Sequence, residues 1–283
     1  MNTATLRIQC DDTKGLVYRI SQFIFERQGN IIDSQQHTEE LANRFFMRVV
    51  FDRGEVKQSP AELREDLAKM AADFKIQAQL SFSEERKRLA IMVSKYDHCL
   101  YDLLLRHRYG EIPADIALVV SNHPDLQGVV EGFGLPFQHV PVAKGRKTDA
   151  EYRALELFRA AGVELIVMAR YMQILTPVML EAFPMRIINV HHGFLPAFKG
   201  AKPYHQAYEY GVKLIGATSH YATDDLDMGP IIEQETIRVD HTRSAEDMVS
   251  MGRDIEKRVL ASAVKAHLTN KIMVYRNRTI VFH

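Results

Sequence analysis

Cysteine is nearly absent from this 283-residue sequence, which contains only Cys10 and Cys99. Two cysteines make neither a disulfide framework nor a zinc cluster, so we expect a reducing compartment, the cytoplasm. An excess of charge of one sign is also absent, because 36 Lys and Arg residues balance 36 Asp and Glu residues. Without a basic surface field, we predict no nucleic-acid partner.

Long hydrophobic runs are missing as well. No apolar segment approaches the ~20 residues needed to span a bilayer. The first residues, 1–7, have no apolar core followed by a cleavage site, so we predict no secretory signal. The composition, 46% hydrophobic and 25% charged, is that of an ordinary globular protein. We therefore predict no membrane partner, and a length sufficient for two domains.

The first part of the chain changes periodicity in a regular order. Apolar residues alternate along residues 6–10, as in a half-buried strand, and recur at helical spacing from Leu16 to Ile24. Ser59, with Pro60 and Glu62 behind it, has the composition of a capped helix start. Further strand patterns cover residues 30–37, 44–52 and 75–82. The order is βαββαβ, which predicts a ferredoxin-like domain.

A charged stretch at residues 84–88 separates this part from the rest. Beyond it, continuous apolar runs replace alternation, which is typical of parallel strands covered on both faces. These runs are 89–93, 116–120, 165–169 and 187–190. We predict an α/β protein with an N-terminal domain at 1–83, a linker at 84–88, and a Rossmann-like domain with a mostly parallel sheet at 89–283.

Three polar residues of the second domain suit carbonyl chemistry. Asn189 and His191 follow the apolar run 187–188, and on an extended chain residues i and i+2 point to the same side. The Asn189 amide can donate to a developing oxyanion, and Asp227 beside His191 would favour the protonated imidazole. A water held between Asp227 and His191 would be a nucleophile. Taken singly, Asn before His and Asp before Gly-Pro are more often turn residues.

The adjacent pair His191-His192 invites a metal interpretation. Neighbouring strand residues point to opposite faces, however, and no second cluster has the spacing of a metal site. We predict no metal.

These residues form a larger motif that resembles the folate-dependent formyltransferases. The motif runs from Asn189-Val190-His191 through Leu195–Gly200 and His220 to Asp227–Ile232. The resemblance covers residues 88–283 and implies a Rossmann-like fold, 10-formyltetrahydrofolate as the folate substrate, and no separate cofactor. It also implies that Asn189, His191 and Asp227 are the catalytic set.

The same resemblance implies a pterin slot built from two segments. The first segment contributes Arg170, Met172, Gln173 and Leu175. The second contributes His220, Tyr221 and Asp225.

Departures from the family pattern bear on the acceptor of the formyl group. The loop Val93–Cys99 has no glycine, so close backbone approach to a phosphate is not expected there. The chain is neutral and ends in a short hairpin pattern, unlike relatives that carry a separate C-terminal domain for tRNA. Water remains as acceptor, which predicts a hydrolase that releases formate and tetrahydrofolate, supplying formate for purine synthesis and balancing one-carbon pools.

The N-terminal domain resembles an ACT domain through the turn Asp11–Leu16 and the entry Gly29-Asn30-Ile31. Such domains pair side by side and bind amino-acid effectors, so the resemblance implies a homo-oligomer. Methionine or glycine would report on one-carbon supply. The implied effector residues are Asp12, Gly15, Leu16, Asn30 and Ile31.

Two alternatives remain open at this point. One is a formyltransferase to an amine such as glycinamide ribonucleotide. The other is a non-catalytic sensor of folate and amino acids, although a sensor has no need of a general base.

Overall fold

The computed structural model describes residues 2–198, 200 and 202–283. The chain divides into two compact units. The first comprises Met1–Arg86 with Asn270–Met273 and Ile280–His283, and the second comprises Lys87–Thr269 with Val274–Thr279. None of the described helices is long and apolar enough to cross a membrane.

The first unit is a four-stranded antiparallel sheet with two helices, which confirms the predicted βαββαβ order. Its strands lie in the order β2-β3-β1-β4. A short 3-10 turn, Glu40–Ala42, joins β2 to β3. Its elements are β1 (Thr3–Asp11), α1 (Leu16–Phe25), β2 (Asn30–Glu39), β3 (Arg44–Asp52), α2 (Pro60–Asp73) and β4 (Gln77–Phe82).

Local sequence explains these elements. Along β1 every second residue is buried, and Leu6 and Ile8 are fully enclosed in the core. Helix α2 begins with a capping box, because the Glu62 amide donates to Ser59 Oγ at 3.3 Å and the Ser59 amide donates to the Glu62 carboxylate at 2.8 Å. Strand β2 lies at one edge of the sheet, and its residue Ile32 is half exposed.

The second unit contains a seven-stranded sheet in the order β11-β10-β9-β8-β5-β6-β7. The pairs from β9 to β7 are parallel, and β10 pairs antiparallel with β9 and β11. This confirms a mostly parallel α/β sheet. Its strands are β5 (Lys87–Val93), β6 (Ala114–Ser121), β7 (Phe137–His139), β8 (Leu165–Met168), β9 (Ile187–His191), β10 (Leu214–Tyr221) and β11 (Ile231–Arg238).

Helices connect and cover these strands. They are α3 (His98–Arg108), α4 (Gln127–Gly132), α5 (Lys147–Ala160), α6 (Pro177–Ala182), α7 (Pro203–Tyr210) and α8 (Ala245–Leu268). Ala90, Met92 and Ile166 pack with side chains of α5 and α6, whereas Ala217 packs with Ile255 of α8. Strands covered on both faces explain the continuous apolar runs. A hairpin of β12 (Ile272–Tyr275) and β13 (Arg278–Val281) follows α8.

The sheet places the polar motif in two different ways. Asn189 and His191 lie within β9, whose carboxyl end shares one edge with those of β5 and β8. Strand β10 runs the other way, so its last residue, Tyr221, pairs with Ile188 near the start of β9. The loop after β10 must therefore fold back along the sheet to bring Asp227 to His191.

Candidate active site

A cavity of about 260 Å³ lies at the carboxyl end of β8 and β9. Its walls come from the loops that follow β8 and β9 and from the folded-back loop after β10. The lining residues are Met168, Arg170–Leu175, Leu180, Asn189–His192, Gly200, His220, Ala222, Thr223, Leu226 and Asp227. The three predicted catalytic side chains thus face one space.

His191 and Asp227 form a buried ion pair at this cavity. His191 Nδ1 lies 3.3 Å from Asp227 Oδ2, and both residues are less than a tenth exposed. His191 Nε2 donates to the Phe198 carbonyl at 3.2 Å. The two side chains therefore contact each other directly.

The Asp227 carboxyl is held in its ionised form. Burial alone would raise its pKa, but the hydrogen bond and charge of His191 and a backbone hydrogen bond from Gly200 together lower it. Asp227 has a left-handed backbone, with φ 57°. Aspartate tolerates this conformation better than most residues, which suits it to the tight loop.

Asn189 is oriented by His220, its direct neighbour across β9 and β10. His220 Nδ1 lies 3.0 Å from the Tyr221 carbonyl and therefore carries the proton, which leaves Nε2 to accept from Asn189 Nδ2 at 3.2 Å. Burial lowers the pKa of His220, which keeps the ring neutral as this arrangement requires. Since the amide nitrogen has two hydrogens, Asn189 can give the second to a substrate oxygen.

The predicted pterin segment after β8 lines the cavity as expected. It is tied down from both sides, since the Met172 amide donates to Ser94 Oγ at 3.0 Å and the Thr176 amide donates to the buried Glu151 carboxylate at 2.8 Å. The second predicted segment is divided. His220 lines the cavity, whereas the Tyr221 hydroxyl turns to His267 at 2.7 Å and Asp225 is solvent-exposed.

Part of the resembling motif lies outside the described residues, namely Lys199 and Ala201. Thr218 fixes the neighbouring described backbone. Its hydroxyl donates to the Gly193 carbonyl at 3.0 Å and accepts from the Leu195 amide at 3.1 Å. The loop after β9 is thus anchored to β10.

Sequence reasoning missed a buried polar cluster next to the cavity. Glu256 of α8 is 1% exposed and contacts His98, Tyr204 and Arg170. A signal was present, because Gly252 and Glu256 interrupt the apolar face of α8 one turn apart.

His192 joins this cluster to the catalytic residues. Its ring centroid lies 5.4 Å from that of His191 and 6.2 Å from that of Tyr204. Burial, and then the positive charge of Arg170, lower the pKa of His192 to about 3, so this imidazole is neutral at physiological pH. His192 therefore adds bulk and hydrogen-bonding capacity to the site without adding charge.

One set of described residues, His98, Cys99 and Glu256, lies close enough together to offer metal ligands. His98 Nε2 already bonds Glu256 at 2.8 Å. Burial raises the pKa of the Cys99 thiol well above its usual value, and the thiolate is the form that binds metals. The arrangement fits a hydrogen-bonded pair beside a core thiol better than a metal site.

The predicted effector residues of the first unit do not all meet. Asn30 and Ile31 line a surface cavity of about 640 Å³ together with residues of α1 such as Tyr18 and Phe25. Leu16 lies in the hydrophobic core, and Gly15 precedes α1 with a left-handed φ of 89°. The Asp12 amide donates to the Asn43 carbonyl at 3.0 Å, which anchors the turn.

Comparison with known proteins agrees with this arrangement. The sequence model of the family described as formyl transferase matches residues 87–264, and that of the ACT domain matches residues 4–67. A formyltetrahydrofolate deformylase of Synechocystis sp. is 47% identical over 99% of this chain and 98% of its own length.

Solved structures give the same result. The crystal structure of a formyltetrahydrofolate deformylase from Pseudomonas syringae pv. tomato is 43% identical, with a TM-score of 0.98 over 100% of this chain and 95% of that one. A glycinamide ribonucleotide transformylase from Symbiobacterium toebii is 31% identical, with a TM-score of 0.68, and covers 72% of this chain and 98% of that one.

Fold and site together define a formyl transferase domain preceded by an ACT domain. Within that class, the chain belongs to the formyltetrahydrofolate deformylase family.

Substitution of Gly229 tests whether the folded-back loop positions the site. A Cβ atom at Gly229 would lie 1.8 Å from the Tyr221 carbonyl oxygen, so Gly229→Ala must displace the loop that carries Asp227. Because a displacement of about 1 Å can cost ~10²-fold in rate, we expect a fall of that order in kcat. Gly128→Ala is the control, since a Cβ there meets no atom within 4 Å. Unchanged turnover in Gly229→Ala would contradict the assignment.

Proposed function

We propose that this protein hydrolyses 10-formyltetrahydrofolate to formate and tetrahydrofolate. The observation that carries the proposal is the convergence of Asn189, His191 and Asp227 on one cavity. Full-length similarity to the formyltetrahydrofolate deformylases supports it. The glycinamide ribonucleotide transformylase covers only about 72% of the chain.

The geometry assigns a role to each side chain. Water attacks the formyl carbon, and Asn189 Nδ2 donates to the oxyanion that forms. The His191 ring, held by Asp227 through Nδ1, donates to the same oxyanion when its Nε2 leaves the Phe198 carbonyl. Asp227 is the counter-ion of His191 and, because its pKa is lowered, an ionised acceptor for a proton of the attacking water. The bond from the formyl carbon to N10 then breaks, N10 takes up a proton, and formate leaves.

The loop after β5 supports water as acceptor. Ser94 is buried and bonds Asn122 at 2.6 Å, and the residue before α3 is Asp97. A carboxylate at a helix N-terminus opposes the binding of a phosphate there. The folate is the substrate, and we propose that no separate cofactor takes part.

An acceptor-free assay tests the reaction itself. We expect the purified protein to release formate and tetrahydrofolate in equal amounts from 10-formyltetrahydrofolate with no amine added. Formate is measured with a coupled dehydrogenase and tetrahydrofolate by absorbance. Turnover that requires added glycinamide ribonucleotide would show that the acceptor is an amine.

Substitutions of the catalytic set test the assigned roles. Loss of one oxyanion donor or of the His191 counter-ion should lower kcat by about 10²–10³-fold, so we expect this of Asn189→Ala and Asp227→Asn. The dissociation constant for folate should change little, because neither group belongs to the pterin segment. Asp224→Asn, an exposed position of the same loop, is the control. Wild-type turnover in either variant would remove that residue from the mechanism.

We also propose that residues 1–83 form a regulatory domain, residues 84–88 a linker whose last two residues already belong to β5, and residues 89–283 the catalytic domain. The cavity beside Asn30 and Ile31 supports amino-acid binding. Exposed apolar side chains at Tyr18 and Phe25, beside the open strand β2, support pairing of two chains. Free, buried Cys10 and Cys99 are consistent with the cytoplasm as the compartment.

Regulation is tested on the full chain. We expect methionine or glycine to bind with measurable heat in titration calorimetry, and sedimentation to give a mass of at least a dimer. Asn30→Ala should weaken binding at least ~10-fold, as loss of a hydrogen bond to a charged ligand does. Asn2→Ala, exposed and outside the cavity, should not weaken it. Absence of heat across the common amino acids, or a monomeric mass, would contradict the respective proposal.

A further inference from the structure

The order of strands in the second sheet reverses at β5, and the candidate active-site cavity lies beside this point rather than over it. Strand β5 has β6 on one side and β8 on the other, so chain connections leave it in opposite directions. In such sheets ligands bind in the crevice outside the carboxyl ends of these strands. In this protein, side chains fill that crevice.

Ser94 closes the base of the crevice. It follows β5, and its hydroxyl donates to Asn122, which follows β6, at 2.6 Å. The same oxygen accepts from the Met172 amide, which follows β8, at 3.0 Å. One buried hydroxyl therefore ties together the three loops between which a ligand would enter.

Arg170 lies in the loop after β8, two residues before Met172. Its side chain is 9% exposed, with Nε 3.5 Å from Glu256 Oε2 and the guanidinium carbon 4.9 Å from the centre of the Tyr96 ring. Its Nε and Nη1 are buried and lack hydrogen-bond partners among the described residues. Arg170 also lines the cavity that contains Asn189, His191 and Asp227, so it takes part both in the Glu256 cluster and in the wall of the candidate active site.

Glu256 holds Arg170 in place. Its carboxylate accepts from the Tyr204 hydroxyl at 3.1 Å and bonds His98 Nε2 at 2.8 Å. Gly252 makes room for this arrangement, because a Cβ atom there would lie 2.1 Å from the Tyr204 ring. The carboxylate is thus fixed by α3, α7 and its own helix α8, and it presents a fixed charge to the guanidinium.

The backbone of Arg170 is in the left-handed region, with φ 64°. Glycine, which has no Cβ atom, adopts this conformation without strain, whereas arginine does not. Arg170 is thus a large, buried and incompletely hydrogen-bonded cation at a position that favours glycine. A contribution to folding stability does not explain why an arginine occupies this position.

We propose that Arg170, held by Glu256 and stacked on Tyr96, is a specificity-determining residue that closes the acceptor side of the catalytic cavity to amines. Water reaches the formyl carbon, and a larger nucleophile does not. The inference rests on the hydrolysis proposed above and adds the reason why water is the acceptor.

Removal of the side chain should therefore open a second reaction. In that reaction the amine nitrogen of glycinamide attacks the formyl carbon, and the bond from that carbon to N10 breaks. The amine loses one proton and N10 gains one, giving N-formylglycinamide and tetrahydrofolate. No oxidant, reductant or further reactant is needed.

The test compares the two products in Arg170→Gly. Glycine suits the left-handed backbone and removes the side chain. With 10-formyltetrahydrofolate and a fixed excess of glycinamide, we expect the ratio of N-formylglycinamide to formate, measured by mass spectrometry, to rise at least tenfold over the wild type. Arg170→Met keeps much of the bulk but cannot be held by Glu256, so its ratio should rise less than that of Arg170→Gly.

Arg276→Gly is the matched control, because Arg276 is an exposed arginine at a comparable φ of 55°. Its product ratio should equal that of the wild type. Should Arg170→Gly fail to fold, as judged by its thermal unfolding, Glu256→Gln gives the second test. That variant releases the guanidinium from its ion pair, and its ratio should also rise.

An unchanged ratio in the folded variants overturns the proposal. So does an equal rise in Arg170→Met, since charge rather than bulk would then decide. A wild-type protein that releases no formate contradicts the proposed hydrolysis instead, which keeps the two failures distinct.

Discussion

The ion pair between His191 and Asp227 is the interaction on which the site depends. It joins the end of β9 to a loop that begins near the other end of the same strand, so it forms only when that loop folds back along the sheet. Two features permit the fold-back, namely the absent side chain of Gly229 and the left-handed backbone of Asp227. The geometry of the proposed catalytic set is therefore fixed by a loop as well as by a strand.

Burial keeps two of the imidazoles near that carboxylate neutral. Three histidines surround the cavity, and desolvation lowers the pKa values of His192 and His220. Neutral His220 can accept the hydrogen bond that orients Asn189, and neutral His192 does not compete for Asp227. His191 contacts the buried carboxylate through Nδ1, and its Nε2 donates to the Phe198 carbonyl. One fold thus gives three chemically identical side chains different roles.

Much of this could be predicted from the sequence, because the signals were local. Alternation gave β1, continuous apolar runs gave β5 and β8, and Ser59 gave the start of α2. The spacing of Asn189 and His191 predicted a shared face, since strand geometry fixes it. The turn of the buried Tyr221 side chain toward His267, away from the cavity, was not predictable, because that contact joins β10 to a helix far along the chain. The contacts of Glu256 join helices far apart in the chain, and no local pattern encodes them.

The cluster around Glu256 also shows how charged groups can fix the position of a side chain at a place that apolar side chains could fill equally well. A buried ion pair adds little stability relative to well-packed apolar side chains, because desolvation offsets the attraction. An apolar filler at Arg170 would rotate among conformers, whereas a guanidinium fixed by a carboxylate and a ring has one position. The carboxylate is itself fixed by His98 and Tyr204. The wall that we propose must hold its position to within the difference in size between water and an amine. A guanidinium paired with a carboxylate that is itself hydrogen-bonded meets that requirement better than a softer core.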